Sequence, residues 1–169
     1  MIKQLLTLGD PQLYEISEPI IPEEEKELKE WVCDLHDTLM EYRRVYGAGR
    51  AVAAPQIGIR KRLLYMNLGG TPYVFVNPMI TFPDDEMYEV LDDCMSFPGL
   101  LVKVMRHKRA VIKYLDHNFD PKEMILEGDL SELLQHEYDH LDGILATMRA
   151  KDDKSLILGN IKRDFGEIK

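Results

Sequence analysis

The feature that most constrains this 169-residue chain is the pentapeptide at residues 136–140, which reads HEYDH. On an α-helix, residues four apart share one face and lie about 6 Å apart along the axis, so His136 and His140 can bind one divalent ion. Glu137 projects roughly 100° around the helix from His136 and can take a proton from a water molecule beside that ion. The pentapeptide therefore predicts a helix that carries half of a metal site for hydrolysis.

Length and charge limit the kind of protein that surrounds this helix. A chain of 169 residues suffices for one well-packed core and is short for two, so we predict a single domain over residues 1–169. The net charge of −9 argues against a specific nucleic-acid partner, and no apolar stretch approaches the roughly 20 residues that span a bilayer. The first residues show no signal peptide, and Cys33 and Cys94 are expected to be free thiols rather than a disulfide. We expect a cytoplasmic monomer with no membrane partner.

Hydrophobic periodicity predicts an α+β fold. A helix is expected over residues 23–46, and a second helix opens at Gly128, carries the histidines and ends near Gly143. A final amphipathic helix is expected from Lys154 to Phe165. The turns between the strand-like runs are too short for parallel crossovers, so we predict antiparallel sheets packed around the central histidine-bearing helix. The strand-like runs lie at residues 62–67, 73–76, 87–91, 101–106, 109–115 and 123–127.

Two histidines leave a tetrahedral metal site short of at least one protein ligand, with one position kept open for water. A third histidine placed as in one familiar zinc-protease pattern would fall at residue 146, which is Ala146. Asp164 or Glu167 could serve, but both belong to a short terminal segment where solvated charge is the commoner role. Cys94, within residues 91–99 (LDDCMSFPG), is the third candidate.

Three segments resemble motifs of the peptide deformylase family, in the order in which that family has them. Residues 49–56 (GRAVAAPQ) resemble its Gly-x-Gly-x-Ala-Ala-Pro-Gln loop. Residues 92–96 (DDCMS) resemble its Glu-Gly-Cys-Leu-Ser segment. Residues 135–143 (QHEYDHLDG) resemble its Gln-His-Glu-x-Asp-His-Leu-x-Gly helix. The resemblance extends over nearly the whole chain, so its implications apply to the protein as a whole.

The resemblance implies a metal-dependent hydrolase that removes the N-terminal formyl group from formylated peptides or nascent polypeptides and releases formate. It assigns Cys94, His136 and His140 as the ligands of one divalent metal ion. Fe²⁺ is the expected ion, and Zn²⁺, Ni²⁺ or Co²⁺ can occupy the same ligands, whereas ligand preference alone would favour zinc. Glu137 is implied to carry the proton from the attacking water to the departing amine.

The tetrahedral oxyanion of this reaction needs donors that are already in place. By resemblance these are the side-chain amide of Gln56 and the backbone N–H of Met95. The implied partners are an N-formyl peptide and, transiently, the ribosome. Three alternatives remain: a deformylase-like enzyme for a non-methionine N-formyl or small N-acyl substrate, a zinc endopeptidase, and a catalytically weak relative that binds peptides.

The residues expected around the first side chain of the substrate depart from the family pattern. Two interpretations are open. In one, Arg50 pairs with Glu132 or Asp129 and a methionine pocket is only reshaped; in the other, the pocket is rebuilt for a polar or charged side chain, because an unpaired carboxylate in an apolar pocket is costly. Ala51 and Asp93 stand where the family has glycine, and acidic residues share the helix face of His136. The residues concerned are Gly49, Arg50, Ala51, Asp93, Asp129, Glu132 and Leu133.

Overall fold

The computed structural model describes residues 1–159. They form two antiparallel sheets and two α-helices, so the predicted mixed architecture with antiparallel sheets is confirmed. The helices are α1 (Glu25–Tyr46) and α2 (Asp129–Leu141). The strands are β1 (Ala51–Ala53), β2 (Leu63–Leu68), β3 (Thr71–Thr81), β4 (Met87–Asp92), β5 (Leu100–His107), β6 (Arg109–Leu115), β7 (Pro121–Glu127) and β8 (Leu156–Leu158).

The larger sheet has the strand order β1-β2-β3-β6-β7, and the smaller sheet has the order β4-β5-β8. Every pairing within them is antiparallel, as the short turns predict. Helix α2 contacts β1 and β7 of the larger sheet and β5 of the smaller one. Helix α2 therefore packs against both sheets.

The sequence of residues 25–46 explains why they form helix α1. Leu28, Leu35 and Leu39 recur on one face and are fully buried against the larger sheet. Glu25 and Glu27 lie in the first turn, where the helix dipole favours acidic groups. The helix ends at Gly47, whose φ of 67° is left-handed and whose N–H bonds the Arg43 carbonyl. The bounds differ from the expected residues 23–46 only at the start, where Pro22–Glu24 form a 3-10 turn.

In the larger sheet, strand β1 was not predicted and strand β3 was predicted only in part. Strand β1 is three small buried residues, too short for an alternating pattern, and it pairs with β2 just before the 3-10 helix Ala54–Ile57. Strand β3 runs to Thr81 rather than ending at residue 76, because a register shift between Val76 and Met79 accommodates Pro78, which has no N–H to donate.

Helix α2 ends where the backbone of Tyr14 passes close to Gly143. Gly143 has a φ of +70°, and a Cβ there would lie 2.4 Å from the carbonyl oxygen of Tyr14. Only glycine fits this close approach. On the core side, Leu134 and Leu141 are fully buried in the cluster beneath the larger sheet. This packing fixes the position of the α2 histidines relative to the two sheets.

The predicted C-terminal helix from Lys154 to Phe165 is wrong where the structure describes it. Residues 156–158 form β8, which pairs with the first residues of β5. Apolar residues in such a short segment are compatible with an edge strand as well as with a helix face, and here they form a strand that pairs with β5. Residues 160–169 lie outside the described part of the chain. Within residues 1–159, no helix combines the length and apolar character needed to cross a membrane.

Candidate active site

Cys94, His136 and His140 converge at one buried point. Nε2 of His140 lies 3.2 Å from Nε2 of His136 and 3.4 Å from Sγ of Cys94. One donor atom from each residue lies within 4.8 Å of the other two. The side chains are 1–5% exposed. Helix α2 supplies both imidazoles from one face, and the turn that follows β4 supplies the thiol.

These distances fit a shared metal ion. Nitrogen ligands at about 2.0–2.1 Å and a thiolate at about 2.3 Å from a tetrahedral ion lie about 3.3 Å (N to N) and 3.6 Å (S to N) apart. The two measured separations, 3.2 and 3.4 Å, are close to these values. Three lone-pair donors that face one another while buried also need a cation to offset their mutual repulsion. The cluster can therefore hold a metal ion.

Asp92, the last residue of β4, orients His136. Its Oδ1 lies 2.8 Å from Nδ1 of His136, which leaves the Nε2 lone pair directed at the other two donors. Its other oxygen accepts a 2.8 Å bond from Arg106 on β5. Burial alone would raise the pKa of Asp92, but its contacts with the His136 ring and the Arg106 guanidinium lower it to about 2. The carboxylate therefore stays ionised and holds the ring.

Arg106 extends this network to the second half of α2. Its Nη1 donates a 2.6 Å bond to Asp139, which also receives Arg149 at 2.6 and 2.7 Å. Arg106 is 3% exposed, so its charge requires these two carboxylates. The chain Asp92–Arg106–Asp139 ties β4, β5 and α2 together around the histidines.

Gln56 is held with its amide N–H groups toward the cluster. Its Oε1 accepts a 2.9 Å bond from the N–H of Ala53, which fixes the orientation of the amide. Its Nε2 then lies 3.4 Å from Sγ of Cys94 and 3.2 Å from Oγ of Ser96. The 3-10 helix that carries Gln56 is buried throughout. The result is a fixed donor beside the thiol.

Glu137 and Met95 directly follow His136 and Cys94 in the chain. Glu137 is 4% exposed, and its Oε2 has no hydrogen-bond partner within residues 1–159. Burial raises the pKa of Glu137 to about 7. Across the same described residues, the N–H of Met95 donates no hydrogen bond either. The sulfur of Met95 lies beside Gly49, where an added Cβ would meet it at 3.7 Å.

The residues predicted to surround the substrate fall into two groups. Ala51 and Leu133 are 3% and 7% exposed and belong to the core cluster of the larger sheet, so they present little surface. Arg50, by contrast, places Nη2 2.7 Å from Oε1 of Glu132, and the two side chains are 35% and 14% exposed. Burial raises the pKa of Glu132, and Arg50 opposes the shift. Asp129, with its exposed side chain, is the first residue of α2.

Several residues of the site were not singled out by the sequence. Asp92 and Asp139 lie within the motifs quoted from the sequence, but no role was assigned to them there. No sequence pattern pointed to Arg149. Arg106 could have been found, because it follows Val102 and Val104 on the inward side of β5. A charge at an inward position needs a partner of opposite sign.

The antiparallel sheets and the buried thiol–imidazole cluster are features of a metal-binding hydrolase. The profile of the polypeptide deformylase family matches residues 2–155. A peptide deformylase of Maricaulis maris (strain MCS10) is 35% identical over 150 residues, which cover 85% of this chain and 82% of that protein. The chain belongs to the peptide deformylase family.

Solved structures agree with this membership. The crystal structure of the peptide deformylase from Thermotoga maritima has a TM-score of 0.81 at 32% identity and covers 90% of this chain and 99% of that one. The Met-Ala-Ser-bound class I type b peptide deformylase from Acinetobacter baumannii has a TM-score of 0.80 at 27% identity, with coverages of 88% and 98%.

Proposed function

We propose that this protein hydrolyses the N-terminal formamide of formylated peptides. Water adds to the formyl carbon, the C–N bond breaks, and the products are formate and a peptide with a free α-amine. The observation that carries the proposal is the convergence of Cys94, His136 and His140 beside Gln56 and Glu137. The Acinetobacter baumannii relative binds Met-Ala-Ser, which has the form of a deformylated product.

We propose one divalent ion held by Cys94, His136 and His140. Such an ion would act as a Lewis acid and lower the pKa of water in the site. Fe²⁺ is the ion that family membership favours, and Zn²⁺, Ni²⁺ or Co²⁺ suit the same two imidazoles and thiolate. Asp92 would keep the Nε2 atom of His136 available as a ligand through its 2.8 Å contact with Nδ1.

Glu137 is the proposed general base and acid. Its free Oε2 can accept the proton of the attacking water and return it to the departing amine. A pKa raised to about 7 by burial lets one carboxyl group perform both transfers near neutral pH. The Gln56 amide and the Met95 N–H would donate to the oxyanion as it develops, and the bond from the Ala53 N–H already fixes the orientation of the Gln56 amide.

Comparison of formyl-Met-Ala-Ser with acetyl-Met-Ala-Ser tests the proposed reaction. We expect hydrolysis of the formyl peptide to be about 100-fold faster in kcat/KM, because the formyl carbon bears a hydrogen where the acetyl carbon bears a methyl group. The measurement is release of free α-amine under anaerobic, metal-loaded conditions. Equal rates on both peptides would favour a broader N-acyl hydrolase and contradict the proposal.

A single domain over residues 1–169, a monomeric state, a cytoplasmic location and transient contact with the ribosome remain predictions from the sequence and the family resemblance.

A further inference from the structure

A cavity of about 570 Å³ is lined by residues of helix α1, of strands β2, β3, β6 and β7, and of the turn between β6 and β7. None of the residues that line it is assigned to the active site. Its walls are mostly apolar and are formed by Val32, Pro72, Val74 and the rings of Tyr73 and Tyr114. The volume lies within the range of about 300–1,000 Å³ that is usual for small-molecule sites. We call this space the helix–sheet cavity.

Tyr65 and His36 form a polar part of the cavity wall, and a hydrogen-bonded network orients them. Nδ1 of His36 lies 2.7 Å from the hydroxyl oxygen of Tyr65, and the two rings meet edge to face at 86°. The side-chain oxygen of Asn67 accepts a 3.1 Å bond from Arg43, which can only donate. The amide nitrogen of Asn67 therefore faces the hydroxyl of Tyr65 and donates to it at 3.5 Å.

These bonds determine which nitrogen of His36 carries the proton. Because the hydroxyl of Tyr65 accepts from Asn67, its single hydrogen is directed to Nδ1 of His36, which must accept it. The proton of the neutral imidazole is then on Nε2. Within residues 1–159, Nε2 forms no hydrogen bond, whereas Nδ1 is already bound. Nε2–H is therefore an oriented donor that a ligand in the helix–sheet cavity can use.

The charged side chains at the cavity complement a negative ligand better than a positive one. Asp37 binds the N-terminal ammonium at 2.7 Å, and Asp116 accepts two backbone N–H groups of its own turn at 2.8 and 3.1 Å. Lys29 is paired with a glutamate of α1. Lys122, however, lies 3.6 Å from Asp116, which is too far for a hydrogen bond, and His117 forms no ion pair with a residue in 1–159. The acidic groups are satisfied within the chain, and part of the basic character is not.

We propose that the helix–sheet cavity binds a small aromatic carboxylate. The aromatic ring would pack against Tyr73, Tyr114 and the aliphatic walls, and the carboxylate would accept the Nε2–H of His36. A ligand without an acceptor would leave this donor desolvated and unpaired, which is costly. The inference does not depend on the proposed deformylation, because the cavity and the thiol–imidazole cluster share no residue.

Protection of Cys33 from alkylation tests the location of this site. Cys33 is an exposed free thiol that lines the cavity, so a bound ligand should shield it. The probe is 2-naphthoate, added to metal-loaded protein at about ten times the Kd that calorimetry gives, where the unoccupied fraction falls about tenfold. We expect iodoacetamide to alkylate Cys33 about tenfold more slowly, as measured by mass spectrometry of the peptide that contains it. Failure of 2-naphthoate to bind, or binding that leaves the alkylation rate unchanged, would overturn the proposal.

A substitution of His36 tests the donor. His36→Phe keeps an aromatic ring and removes Nε2–H, so it should weaken binding of 2-naphthoate by about tenfold, the usual effect of losing a hydrogen bond to a charged group. Binding of naphthalene, which has no acceptor, should change little, and this comparison distinguishes a lost donor from a general disturbance of the cavity. An unchanged ratio of the two affinities in His36→Phe would contradict the assigned contact.

A bulky side chain at residue 33 tests the cavity itself. Cys33→Trp places a large ring at the cavity wall from an exposed position of α1 and should abolish binding of 2-naphthoate in calorimetry. Glu27→Trp is the matched control, because Glu27 is an exposed residue of α1 that does not line the cavity, and the affinity should be unaltered. Equal affinity of 2-naphthoate for Cys33→Trp and for the unaltered protein would exclude the helix–sheet cavity as the site.

Discussion

Replacing Glu137 by glutamine is expected to lower kcat by about a hundredfold to ten-thousandfold, the usual contribution of a positioned general acid–base. The amide keeps the size of the side chain and cannot accept the proton of the attacking water. Because Glu137 is not one of the three clustered donors, the variant should bind metal as the unaltered protein does. The measurement is formate release at saturating peptide, with metal content determined on the same samples.

Glu123→Gln is the matched control for this substitution. It makes the same chemical change on an exposed residue of β7 and should retain full activity. A kcat for Glu137→Gln within about threefold of the unaltered protein would contradict the assigned role, since a change that small corresponds to less than 1 kcal/mol in the barrier.

Replacing Cys94 by alanine is expected to remove the metal ion and, with it, activity. The substitution leaves two imidazoles, and loss of one of three protein ligands should weaken binding by more than about 100-fold, because even partners of the ligands contribute 10–100-fold. The measurement is the amount of Co²⁺ or Ni²⁺ that stays bound after dialysis against a weak chelator, which does not depend on turnover.

The second cysteine supplies the control. Cys33 is an exposed free thiol on α1, outside the cluster, so Cys33→Ala removes a thiol without touching the site. This variant should keep one metal ion per chain and full activity. Retention of a full equivalent of metal by Cys94→Ala, at the affinity of the unaltered protein, would exclude the thiol as a ligand.

Local spacing predicted the parts of the site that belong to one element. The four-residue separation of His136 and His140 requires only a helix, and α2 provides it. The position of Cys94 relative to them depends on how β4 and its following turn pack on α2, which spacing along the chain does not encode. The sequence alone therefore left three candidates for the remaining ligand, and the resemblance to a family was needed to choose among them.

The charged residues predicted to surround the substrate illustrate the same limit. The residue types at Arg50 and Glu132 predicted either an ion pair or a polar pocket, and the 2.7 Å contact shows that the pair forms. Which carboxylate remains without a partner could not be predicted, because that depends on the side-chain geometry of three elements. Within residues 1–159, Asp93 and Asp129 both lack an ion pair, whereas Glu132 binds the guanidinium of Arg50.

Short elements account for the errors in the predicted fold. Strand β1 has three residues, and β8 has three residues that also fit a helix pattern, so neither carries enough sequence to decide between helix and strand. Both exist because an adjacent strand offers unpaired backbone groups: β2 for the first and β5 for the second. Local hydrophobic periodicity cannot predict tertiary pairing of this kind.

The central claim is that water cleaves a formamide at the cluster of Cys94, His136 and His140. The most direct test measures formate and new α-amine in parallel, with anaerobic iron-loaded protein acting on formyl-Met-Ala-Ser. We predict that the two products form in equal amounts, and that both are lost when the metal is removed by a chelator and return when it is restored. Metal-loaded protein that releases no formate from this peptide would contradict the account.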